Sequence, residues 1–190
     1  MHAAGLASMA YYYFDFRDVK KQDNYGLLSS LILQLSTESD SFFSIVSQFY
    51  SDHWGTEKPD IDVLEKCLTD MLSLSGQPPT YIIVDAVDEC PSISGMPSAR
   101  EEVLWVIEGL VDLKLPSVHL CVTSRPEMDI RRAFEPLTTL KISLHDESGQ
   151  KEDILQYIKS VVRSDRSMRR WREEDQTLVV DMLSQNADGM

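Results

Sequence analysis

The stretch Thr80-Tyr81-Ile82-Ile83-Val84-Asp85-Ala86-Val87-Asp88-Glu89-Cys90 constrains the fold more than any other. Four apolar residues run straight into a carboxylate, and two further acids follow three and four positions on. A strand without polar alternation is expected to be covered on both faces, as in a parallel α/β sheet. Ligands of such sheets collect beyond the carboxyl ends of the strands, which places Asp85 at a functional rim. An acid there suits Mg²⁺, a cation that sheds water reluctantly and arrives with substrate phosphates. Asp88 and Glu89, on the following turn, are placed to orient or deprotonate a water. The plainer reading is that these acids solvate a turn or cap the next helix, and the rest of the chain decides between the two.

The remaining pattern alternates strands and helices. Residues 10–16, rich in tyrosine and phenylalanine, read as a strand that leaves the sheet for a polar loop. Leu27, Leu28, Leu31, Ile32 and Leu35 recur at helical spacing, with Asn24 as the expected N-cap. A second helix is expected over 41–50. A third carries Ile61, Leu64, Cys67, Leu68, Met71 and Leu72 until Gly76-Gln77-Pro78-Pro79 stops it. After a loop over 91–97, Ser98 and Glu101 have the spacing of a capping box, introducing a helix through Val103, Leu104, Val106, Ile107, Leu110 and Val111. Residues 118–123 form a second buried strand that ends in Ser124-Arg125-Pro126, with Pro126 in the first turn of a short helix reaching Phe134. Arg125 and Asp85 then share one rim if the sheet is parallel. Residues 138–144 read as a last, edge strand, because Lys141 and Ser143 alternate with Leu140, Ile142 and Leu144. Two more helical faces follow, Ile154, Leu155, Ile158, Val161 and Val162, then Leu178, Val179, Met182 and Leu183. Trp105 and Tyr157 are expected in the core, Trp54 and Trp171 partly exposed, Cys90 a buried thiol, and Arg131 and Arg132 at the surface. The whole is an α/β three-layer sandwich in one domain spanning 1–190.

Composition narrows the function. The 190 residues are 43% hydrophobic, enough for a core. No apolar run approaches the roughly 20 residues that a bilayer requires, and the first ten residues carry no basic segment of a secretory signal, so a cytoplasmic chain without a membrane partner is expected. Three widely spaced cysteines and four scattered histidines form neither a disulfide framework nor a zinc site. A net charge of −13 repels a phosphate backbone, so no nucleic-acid partner is expected. Against that acidity stand Arg163, Arg166, Arg169, Arg170 and Arg172, a run of the kind found at solvated helix ends or at anion sites.

Three motifs occur in one order: Phe14-Asp15-Phe16-Arg17-Asp18 after an aromatic strand, the Tyr81–Cys90 segment, and Cys121-Val122-Thr123-Ser124-Arg125-Pro126-Glu127. Together they resemble the NACHT class of P-loop NTPases, in the nephrocystin-like form common in large fungal receptor-like proteins. The resemblance covers the chain from about Ala10 to Met190. It implies a mostly parallel P-loop NTPase sheet, a Walker B role for Asp85 on Mg²⁺ with ATP or GTP, acid roles for Asp88 and Glu89, and a γ-phosphate-sensing role for Arg125. A guanidinium suits that last task, because its planar fork makes bidentate bonds to phosphate oxygens. Asp153-Ile154-Leu155-Gln156-Tyr157-Ile158 is similar to the family's helix after the last strand, and Ala187-Asp188-Gly189-Met190 looks like the opening of a further segment.

One departure is decisive. The family begins with a strand and a Gly-x-x-x-x-Gly-Lys-Ser/Thr loop that cradles the phosphates, and this sequence contains no such loop; Gly5 lacks the partner residues. By the resemblance, the missing first strand belongs between the strands at His119 and Thr138, and the chain looks truncated at both ends. Three functions follow as expectations. The first is part of a Mg-ATP- or Mg-GTP-dependent signalling switch that associates with itself or with related domains. The second is a non-hydrolysing α/β protein-interaction module. The third is a Mg²⁺-dependent phosphohydrolase using Asp85, Asp88 and Glu89.

Overall fold

The computed structural model describes residues 6–52, 58–92, 97–143 and 148–186. The chain divides into two compact units, Met1–Thr138 and Thr139–Met190.

The first unit is α/β, built on three parallel strands in the order β1-β2-β3: β1 is Ser8–Tyr13, β2 is Thr80–Asp85 and β3 is Val118–Val122. The register sets Tyr13 opposite Asp85, and Val84 opposite Val122. Long crossovers are obligatory between parallel neighbours, and helices fill them. Helices α1 (Asn24–Ser36), α2 (Asp40–Asp52) and α3 (Ile61–Leu72) connect β1 to β2, and α4 (Ala99–Asp112) connects β2 to β3. A short α5 (Met128–Phe134) follows β3.

The apolar stripes of α1, α3 and α4 share one core with one face of the sheet. Leu27, Leu28, Leu31 and Leu35 of α1, Leu68 and Met71 of α3, and Val103 and Ile107 of α4 are buried with Ala10, Ile82 and Val84 of the strands. Each fully buried Leu contributes about 2 kcal/mol relative to an exposed one. Gly26 lets α1 lie close on β1, since a Cβ there would stand 2.6 Å from the Tyr12 hydroxyl and 2.7 Å from the Lys20 carbonyl oxygen. The opposite face carries Met9, Tyr11 and Tyr13 of β1, Tyr81 of β2, and His119 and Cys121 of β3, all exposed. Tyr81 stacks on His119 there, with ring centroids 4.8 Å apart. Full cover of β2 on both faces is therefore not what the described residues show.

The two sheet edges differ. The Gln34 side chain of α1 reaches the outer edge of β1, where Oε1 accepts from the Tyr11 amide at 3.1 Å and Nε2 donates to the Tyr11 carbonyl at 2.7 Å. One amide side chain thus does there what a neighbouring strand would do. Among the described residues, nothing pairs with the outer edge of β3.

Several sequence expectations need correction. Asp23, not Asn24, caps α1, its carboxylate accepting from the Gly26 amide at 2.8 Å, so Asn24 is the first helical residue. Pro126 precedes the Glu127 N-cap of α5 instead of entering its first turn. Residues 138–143 form no strand: Leu140 and Ile142 are 75% and 68% exposed, for an alternating pattern yields a strand only where a neighbour supplies the ladder. Leu144 lies outside the described residues, as do Gly5, Trp54, 93–96 of the loop and 187–190. Trp105 is more than half exposed, because the buried stripe of α4 runs through 103, 104, 106 and 107 and leaves 105 outward. Tyr157 is likewise exposed.

The second unit contains α6 (Ser148–Ser164) and α7 (Glu173–Asn186), which pack together. Ile154, Leu155 and Ile158 are half-buried and Val162 is buried, while Leu178, Met182 and Leu183 stay exposed. The five arginines of 163–172 are all exposed, Arg163 in the last turn of α6 and the other four in the connection to α7. A depression of about 500 Å³ there is lined by Arg170, Trp171, Arg172, Asp175, Leu178 and Val179. None of the acids read as site residues lines it.

Candidate functional site at the carboxyl rim of the sheet

The site is built by what happens just after β2 and β3 end. Ala86 takes the left-handed conformation, φ 57° and ψ 47°, which turns the chain sharply out of β2. A non-glycine residue pays for that geometry in strain, of the order of 1 kcal/mol or more, and such residues concentrate at functional turns. A 3-10 turn over Val87–Glu89 follows, pinned by buried Val87 and Cys90.

Thr123, one residue past β3, fastens this turn. Its hydroxyl donates to Asp85 Oδ1 and accepts from the Ala86 amide at 3.0 Å, while its carbonyl accepts from the Val87 amide at 3.1 Å and its own amide donates to the Val84 carbonyl at 3.0 Å. The Asp85 carboxylate is thereby oriented at an exposed position. Asp88 points toward the chain leaving β3, where Oδ1 accepts from the Arg125 amide at 2.9 Å and Oδ2 lies 3.4 Å from Arg125 Nε. Glu89 turns the other way, toward the end of β1, and accepts from the Phe16 amide at 3.1 Å. Asp15, beside it, pairs with Arg17 at 2.9 Å, and the hydrogen bonds from Arg17 hold its carboxyl below the usual range.

The parallel sheet thus brings Asp85, Asp88, Glu89 and Arg125 to one rim, with Asp88 and Arg125 in contact and Asp85 reaching Thr123. Asp85 and Glu89 have separate partners. Among the described residues no group of three His, Cys, Asp or Glu side chains could hold a metal ion. The donor set at Asp85, one carboxylate beside one hydroxyl, suits a cation that takes most of its ligands from phosphate and water.

Cys90 lies under this turn. Its thiol donates to the Gln22 carbonyl at 3.1 Å, and burial pushes its pKa up to about 12, so it is a packed thiol and no nucleophile at neutral pH.

Two residues at the rim received no role from sequence. Thr123 lies within the motif after β3, but its bonds reach 37 and 38 residues back along the chain. Arg100 sits between the two capping-box residues of α4, and its side chain is only 6% exposed. Its Nη2 donates to the Asp88 carbonyl at 2.6 Å, its Nε to the Cys90 carbonyl at 2.8 Å, and its Nη1 to Glu127 Oε2 and, at 3.2 Å, to Asp129 Oδ2. Burial lowers its pKa, but the bonds and charges of Glu127 and Asp129 outweigh that and raise it overall. A signal was present, since a cation in the first turn of a helix opposes the macrodipole and calls for a compensating partner.

Among described residues, no helix is long and apolar enough to cross a membrane. No curated protein and no solved structure matches the chain. Residues 2–125 match the family described as Nephrocystin 3, N-terminal, a span that contains β1, β2 and β3 and ends on Arg125. With well over half of its 190 residues matched, the chain belongs to the nephrocystin 3 N-terminal family.

Proposed function

We propose that the chain is part of the nucleotide-binding domain of a NACHT-class signalling NTPase, a cytoplasmic switch in which Mg-ATP or Mg-GTP occupies the rim beyond β2 and β3. The observation that carries this reading is the Arg125–Asp88 pair beside Asp85 on one rim of a parallel sheet. Arg125 is 81% exposed, so its guanidinium can leave Asp88 and take a terminal phosphate through its planar fork. Asp85, steadied by Thr123, would hold Mg²⁺. When bound, the ion neutralises charge on the phosphates. Asp88 and Glu89 would orient the attacking water, Asp88 once Arg125 has moved and Glu89 once it has left the Phe16 amide. Self-association or pairing with related domains is the output this reading assigns.

A second reading has its own support. Each of the four groups already has a protein partner: Asp85 with Thr123, Asp88 with Arg125, and Glu89 with Phe16. A rim so satisfied suits a non-hydrolysing interaction module with an open aromatic sheet face.

Equilibrium titration with fluorescent ATP and GTP analogues separates the two. The nucleotide reading expects weak, Mg-dependent binding, with Kd about 1 mM or roughly −4 kcal/mol, further weakened by Asp85→Asn and by Arg125→Ala. The module reading expects association of the chain that rises with its concentration and ignores nucleotide.

A further inference from the structure

We propose that Arg100 is the positioning residue of the rim: one buried guanidinium sets the turn after β2 against the segment after β3, and so holds Asp88 and Arg125 in register. The ladder between these strands ends at Val84 and Val122, and Thr123 extends it by one step. Beyond that point the two segments are joined by the Asp88–Arg125 contact and by Arg100. The groups that Arg100 takes bracket the contact in sequence: the carbonyls of Asp88 and Cys90 on one side, the carboxylates of Glu127 and Asp129 on the other. Its own amide adds a bond to the Pro91 carbonyl at 3.1 Å.

The geometry asks for arginine specifically. A guanidinium presents five donors in a fixed planar fork, so Nε and Nη2 can serve two carbonyls of one turn while Nη1 serves carboxylates of another segment. A lysine keeps the charge and satisfies the carboxylates, but a single ammonium cannot span both sets. Placing a cation in the first turn of α4 works against the helix dipole, and a surface-facing polar residue would avoid that conflict. The conflict is accepted where the residue fixes a neighbouring turn. The consequence for phosphate binding rests on the nucleotide reading above; the positioning itself does not.

The test is native-state amide exchange by NMR on the full chain, comparing the Arg125 amide with the Ile82 amide inside β2. In Arg100→Lys and Arg100→Met, protection of Arg125 relative to Ile82 is expected to fall about tenfold. Leu104→Ala, a buried change on the same helix, should lower both amides together and leave their ratio within about twofold of wild type. If Arg100→Met does not fold, Arg100→Lys decides, together with Glu127→Gln/Asp129→Asn, whose side chains are more than a third exposed. A wild-type ratio in Arg100→Lys overturns the proposal. Mg-ATP titration of the same proteins addresses the other reading. A wild-type chain whose rim ignores Mg-ATP counts against nucleotide binding, and the protection ratio still decides the role of Arg100.

Discussion

The Arg125 amide donates to one oxygen of Asp88 at 2.9 Å while Arg125 Nε stands 3.4 Å from the other, so a single acid after β2 holds both the backbone and the side chain of the residue after β3. The two halves of that contact differ in worth. The acid is 10% exposed and the guanidinium 81%, so the ion pair is screened, while the amide bond ties the backbone to an acid whose side chain is largely out of water.

Denaturation should separate them. Arg125→Ala is expected to cost less than about 0.5 kcal/mol, as exposed ion pairs do. Asp88→Ala removes the acceptor of the Arg125 amide and should cost about 1–2 kcal/mol. Urea midpoints of the two variants check this, and equal losses would contradict it.

Ala86 is the second test of the rim. Its left-handed backbone suits glycine, so Ala86→Gly should stabilise the chain by about 0.5–1 kcal/mol, and Ala86→Val should destabilise it by about 1–2 kcal/mol. Thermal melts give the sign directly. Loss of stability in Ala86→Gly would show that the turn is not strained.

The buried thiols set an alkaline limit. Burial raises Cys90 to about 12 and Cys67 to about 11 from an ordinary 9.0. Between pH 9 and those values the folded chain keeps protons that the unfolded chain releases, so the folded state binds more protons there. Stability is therefore full below pH 9 and falls as pH rises, by up to about 1.4 kcal/mol per pH unit for each thiol. Buried Tyr12 is shifted upward too and adds to the loss at higher pH. Urea midpoints from pH 7 to 11 should show a flat region and then a decline that is shallower in Cys90→Ala. At neutral pH, alkylation should reach exposed Cys121 and spare Cys67 and Cys90 until unfolding.

Gln34 protects one edge of the sheet. Gln34→Ala uncovers the Tyr11 amide and carbonyl, and free strand edges pair with other chains. Sedimentation at rising concentration should show more association than wild type. A variant that stays as dispersed as wild type would mean that the side chain does not guard the edge.

The limits of sequence reading follow from range. The stripes of α1, α3 and α4 and the capping box of Ser98 and Glu101 were legible because spacing within a few residues creates them. The rim placement of Asp85 and Arg125 was legible because both close apolar runs of a parallel sheet. Residues 138–143 misled, since Leu140 and Ile142 alternate correctly but alternation cannot supply a neighbour. Trp105 misled because bulk drew it inward while its helical phase faced out. Thr123 and Arg100 stayed hidden because their partners lie many residues away, and only the folded sheet brings them together.

Whether this rim receives nucleotide phosphates is read from an NMR titration of the chain with Mg-ATP up to about 10 mM, a range that reveals binding of roughly −3 to −4 kcal/mol. Saturable amide shifts are expected at Asp85, Thr123 and Arg125, requiring Mg²⁺ and lost in Arg125→Ala. An unresponsive rim, or the same shifts in Arg125→Ala, would contradict the nucleotide reading and leave the interaction module as the better one.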